Sequence, residues 1–160
     1  MPGITNRWMK RVWEIVLNQT YIGGGYPANF YLMLVTNATP PGLLTNVGGD
    51  LTEIGLGNGY DVAGGISLTP NTTDFPNLFE DDTLNRGSIK IRDIAVNATG
   101  GDIPASGDPI RHVVLTAGAD GPPTVPQREV LAWWEMNQSL IILNGQGFTF
   151  SGLTILGKAS

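Results

Sequence analysis

The sequence predicts an all-β fold: an antiparallel β-sandwich, jelly-roll-like, with one amphipathic helix at its N-terminus. Short apolar runs rich in β-branched and aromatic residues recur along the chain, bounded by Gly, Pro, Asn and Asp. The 160 residues include 22 Gly and 11 Pro, many for this length, and with plentiful Asn and Thr they describe strands joined by loops. One segment alone carries hydrophobic residues at convincing helical spacing. No linker or fixed repeat divides the chain, so residues 1–160 read as one domain, with a helix or docking arm over 1–20 and the β-sandwich over 27–160.

That helical segment begins at Thr5, a suitable cap. Trp8, Val12, Ile15 and Val16 form its apolar stripe, Met9 and Trp13 widen it, and Lys10, Arg11 and Glu14 take the other side. It ends near residues 17–19 and is short enough to need packing partners. Gly23-Gly24-Gly25 is a flexible connector.

The nearly continuous apolar run Phe30 to Val35 predicts a buried central strand, stopped by Pro40-Pro41-Gly42. Residues 46–65 are Gly-rich and polar around Leu51-Thr52-Glu53-Ile54, and a short strand follows at Ile66 to Thr69. Residues 71–87 read as a long acidic loop anchored by Phe75, Leu78, Phe79 and Leu84. Residues 88–96 read as one strand with Ile89 and Ile91 inward.

The strongest pair of strands is Arg111 to Leu115 and Arg128 to Met136, joined through a Gly/Pro-rich connection. In the second arm, alternation places Val130, Ala132 and Trp134 on one face and Leu131, Trp133 and Glu135 on the other. Trp134 is the expected core residue, and Trp133 belongs to a spare apolar face that must meet a second layer or a partner. Leu140 to Leu143 reads as a strand, Asn144-Gly145 as a tight turn, and Phe148 to Phe150 and Leu153 to Leu156 as closing strands, with Gly152 at a bend.

Hydrophobic residues make up 41% and charged residues 14%, which excludes a disordered chain. A net charge of −5 disfavours nucleic acid, and no apolar run is long enough to predict a membrane span. The absence of Cys removes thiol chemistry, and the single His112 removes multi-His metal sites. Arg7, Lys10 and Arg11 form a basic cluster in a chain whose middle is acidic, a pattern that suits attraction within one subunit or between neighbours, or equally two solvated patches.

Motifs for chemistry are weak. Gly55-Leu56-Gly57-Asn58-Gly59 lacks the Lys-Ser/Thr and helix of a phosphate loop, and Glu80-Asp81-Asp82, whose clustered carboxylates suit a hard cation, lacks the EF-hand spacing and reads rather as a solvated acidic loop or a complement to a neighbour's basic patch. His112 stands at a strand start without a nucleophile elbow, and reads as structural. The expectation is therefore no catalytic residue, no cofactor and no metal ligand. Trp133 and Trp134 suit stacking on sugars, but one core and one interface residue is the preferred reading.

The order of motifs resembles a family of small bacteriophage virion proteins of the head-decoration (cement) or tail-fibre-like type. The amphipathic helix and Gly link, Phe30 to Thr36, Leu51-Thr52-Glu53-Ile54 with Gly59-Tyr60, Ile110 to Leu115, Val130-Leu131-Ala132-Trp133-Trp134, and Gly147 to Phe150 with Leu153-Thr154-Ile155 carry the resemblance. It implies a non-enzymatic β-sandwich in the virion, assembled in the host cytoplasm. The expected partner is the major capsid protein or another virion protein, with further copies of the chain, and neither nucleic acid nor membrane. A capsid cement role is favoured; a tail or tail-fibre component, or a carbohydrate-binding module, is the alternative. Candidate contact residues are Arg7, Trp8, Lys10, Arg11, Trp13, Phe79 and Trp133.

Overall fold

A computed structural model describes residues 3–4, 29–69, 71, 73–81, 86–117 and 125–158, with side chains described for 29–69, 71, 73–76, 88–117 and 126–156. The expected N-terminal helix lies outside the described residues. Within them the protein is all-β, with ten strands in antiparallel sheets and two single-turn 3-10 segments at Gly48–Asp50 and Val125–Gln127.

The strands are β1 (Gly3–Ile4), β2 (Phe30–Val35), β3 (Ile66–Leu68), β4 (Asn77–Asp81), β5 (Arg86–Lys90), β6 (Ile94–Asn97), β7 (Ile110–Ala117), β8 (Glu129–Leu140), β9 (Gly147–Phe150) and β10 (Thr154–Lys158). A five-stranded sheet runs β1-β8-β7-β2-β3, a three-stranded sheet β10-β5-β4 and a two-stranded sheet β6-β9. The apolar run at β2 sits between β7 and β3, the interior position that a strand with side chains buried on both faces demands. β7 and β8 form the expected antiparallel pair.

Side chains from all three sheets meet in one core. Leu32 and Leu34 of β2, Val113 and Leu115 of β7, and Ala132 and Trp134 of β8 pack with Val96 of β6 and Phe150 of β9, and Ile155 of β10 joins at the margin. Phe30 meets Phe75 edge-to-face at 5.4 Å between ring centres, and Phe148 meets Phe150 at 4.9 Å.

Four expectations need correction. First, residues 71–87 are not a plain loop: β4 and the start of β5 pair there, with Asp81 opposite Arg86. Backbone pairing needs no apolar alternation, so an acidic sequence conceals it. Second, residues 88–96 form two strands. Ile91 N–H donates to Leu153 O at 2.8 Å, whereas Arg92 N–H turns to Asp74 O at 2.9 Å, so the chain leaves one sheet for another. Third, β8 runs on to Leu140, and the residues after it form only an isolated bridge, Ile142 to Ile103. Fourth, Leu131 is an extra residue in β8: Leu115 pairs with Ala132 and Thr116 with Val130. This bulge reverses two residues, placing Leu131 in the main core and Val130 on the opposite face.

Candidate interaction surface

The face of the five-stranded sheet turned away from the main core carries Met33, Val35, Val114, Val130 and Trp133. Trp133 lies opposite Val114 and Trp134 opposite Val113, so the tandem tryptophans divide between the two faces as alternation predicts. This face is not left bare. Met33, Val35, Val114 and Val130 are each at most 1% exposed, with Leu51 and the half-buried Trp133 packed against them. Leu51 follows the 3-10 turn, which is anchored by Gly48 N–H on Arg128 O at 2.8 Å and by Val130 N–H on Asn46 O at 2.9 Å. Residues 46–53 thus supply a second layer from within the chain.

The same loop builds a polar node. Residues 52–54 run beside the end of β2, with Thr36 N–H on Thr52 O at 3.0 Å and Ile54 N–H on Leu34 O at 3.1 Å. β3 pairs with the other end of β2, at Phe30 to Leu32. Leu34 N–H falls in the gap and donates to the Tyr60 hydroxyl at 3.0 Å, which donates in turn to Glu53 Oε1 at 2.7 Å. Gly64 N–H bridges both Glu53 oxygens at 2.9 and 3.0 Å, and Gly64 O accepts from Arg128 at 3.0 Å. The buried Arg128 guanidinium also lies 3.4 Å from the centre of the Tyr31 ring. Burial, reinforced by the Glu53 carboxylate, pushes the Tyr60 phenol well above its ordinary value. Apart from Arg128 Nε, which has no partner among the described residues, these groups satisfy one another, so the Leu51-Thr52-Glu53-Ile54…Gly59-Tyr60 motif has a physical basis in packing.

His112 is 4% exposed, donates from Nε2 to Asn37 Oδ1 at 3.2 Å, and leaves Nδ1 without a partner among the described residues. Burial lowers its pKa; the Glu135 carboxylate across the β7–β8 pair opposes this and Arg111 adds to it. Arg111 binds Glu135 at 2.7 Å and holds that exposed carboxyl below its usual range. No group of three or more His, Asp or Glu with metal-binding geometry occurs among the described residues.

Two surface features stand out. The first is the turn Gly42 to Thr45, closed by Thr45 N–H on Gly42 O at 3.0 Å and by Gly42 N–H on Thr45 Oγ1 at 2.9 Å. It holds Leu43 and Leu44 in solvent, 58% and 83% exposed. Asn46 Nδ2 donates to Leu44 O at 3.0 Å, and Asp50 accepts from the Asn46 and Val47 N–H groups, so the turn is braced from below. The second is a groove of about 420 Å³ between the end of β8 and the β9–β10 segment.

Of the sequence-derived contact residues, Arg7, Trp8, Lys10, Arg11 and Trp13 lie outside the described residues. Phe79 stands on β4 opposite Ser88, distant in topology from Trp133 on β8. Sequence reasoning missed the Leu43-Leu44 turn because two leucines beside Pro-Pro-Gly resemble a strand's ragged end. Its signal was an apolar pair inside a turn, where nothing buries it. Comparisons with protein-family models, curated proteins and solved structures find no match.

Proposed function

We propose that this protein is a structural component of a bacteriophage virion, a capsid cement protein that binds the major capsid protein shell and stabilises it in many copies. In this reading the sheets stack as a jelly-roll-like sandwich, and the N-terminal segment, with Arg7, Trp8, Lys10, Arg11 and Trp13, forms an amphipathic docking helix. Assembly takes place in the host cytoplasm, and the protein acts in the finished particle.

The observation that carries the contact role is the braced turn bearing Leu43 and Leu44. Large aliphatic side chains held in water by a hydrogen-bonded turn have no folding benefit, but they match a small apolar pocket on a neighbouring protein at little ordering cost. The virion setting is supported by the ordered motifs from Phe30 to Ile155. The partly exposed Trp133 adds a second contact candidate.

Sedimentation of purified protein with empty heads of the parent phage tests the reading. The wild-type chain is expected to co-sediment saturably, and Leu43→Asp/Leu44→Asp to lose binding with an unchanged melting temperature. A wild-type chain that stays in the supernatant contradicts the proposal.

A further inference from the structure

The groove at the end of β8 is independent of the Leu43-Leu44 turn and has a different chemistry. Opposite β7, register slips between the His112–Glu135 and Ile110–Leu140 pairs, so Met136 to Ser139 bulge away from the sheet. This leaves a slot between that bulge and β9 with the bend after it. The β9 wall is fixed from behind: Ala98 N–H donates to Gln146 O at 2.8 Å, Gly145 N–H to Ala98 O at 2.9 Å, and Asn144 N–H to Asp102 Oδ1 at 2.8 Å.

The slot is amphipathic, and its one charged lining residue among the described residues, Glu135, is paired with Arg111. Half-buried Met136 and Phe148 give it an apolar base. Exposed Asn137, Gln138, Thr149 and Ser151 line it with neutral donors and acceptors. Neither the Asn137 nor the Gln138 carboxamide makes a hydrogen bond within the described residues, so both are available. The one carboxylate at the slot, Glu135, is engaged by Arg111. Among the described lining residues there is no cation for an anion to meet, and the carboxylate already has its cation in Arg111.

The geometry points to a binding site for a neutral oligosaccharide. A pyranose has an apolar C–H face suited to the Phe148 ring and a rim of hydroxyls that pair with carboxamides as donor and acceptor at once. The volume of about 420 Å³ falls in the range of small-ligand pockets and has room for a short oligosaccharide. The tandem tryptophans are not the stacking platform: Trp134 is buried with its Nε1–H on Thr154 O at 3.2 Å, and Trp133 faces the other side of the sheet. Trp134 nonetheless lines the slot and reports on its occupancy.

The full-length protein is titrated with neutral oligosaccharides of glucose, galactose, mannose and N-acetylglucosamine, followed by tryptophan emission and calorimetry. Saturable binding of at least one sugar is expected. Asn137→Ala and Gln138→Ala should each weaken it about tenfold, the loss of one or two hydrogen bonds, without moving the melting temperature. Absence of binding across the panel at millimolar sugar overturns the site. So does binding that both variants leave unchanged. Head binding by the two variants should stay at the wild-type level, which separates this site from the capsid contact.

Discussion

The Tyr60 hydroxyl accepts from a buried β2 N–H and donates to Glu53. Removing it strands Leu34 N–H where water has no access. Tyr60→Phe is therefore expected to destabilise the fold by about 1–3 kcal/mol, read as a lower midpoint in urea with an unchanged slope. His112 contributes at the same scale, through pH. Its folded pKa lies below the ordinary 6.5, so the unfolded chain binds the extra proton first. Its contribution is complete above 6.5 and is lost as pH falls from there through the folded value. His112→Gln should flatten stability against pH in that window. Asp74 is also depressed, by the Thr69 N–H and then by Arg92, so its contribution is present above its ordinary 3.8 and is lost at lower pH. The two groups thus separate along the pH axis. A wild-type midpoint that stays level between pH 7 and 5 contradicts the His112 account.

Among elements, β8 shows most clearly what sequence carries and what it does not. Its tryptophans were placed correctly because Trp133 and Trp134 lie on the same side of any irregularity. Val130 and Leu131 exchanged roles because a bulge costs one residue and leaves no mark in composition. β2 and β7 were legible because burial on both faces demands continuous apolar runs. The β4–β5 hairpin was not, since its strands are acidic and polar. The polar node was half legible: Glu53 and Tyr60 stand seven residues apart in one motif, whereas Arg128 joins from 64 residues beyond Gly64. Leu131→Ala should cost about 2–5 kcal/mol, the range for emptying a core position, and thermal denaturation measures it. Gly65 sits at φ +91°, and a Cβ there would lie 2.0 Å from Leu32 O. Gly65→Ala is accordingly expected to prevent the β2–β3 pairing, seen as lost soluble expression or a collapsed melting transition.

The whole molecule combines a core shared by three sheets with a loop, residues 46–53, that covers the second face of the largest one. This covering changes where contact is expected. The sequence points to the Trp133 face as the spare surface; the structure buries most of that face and presents the Leu43-Leu44 turn instead. In the proposed setting this turn meets the capsid lattice. Quantitative mass spectrometry of purified virions tests this most directly, by the ratio of this protein to the major capsid protein. The cement account predicts a ratio of the same order as the number of shell subunits it would bridge. A ratio of only a few copies per particle, or absence from the virion, would contradict it.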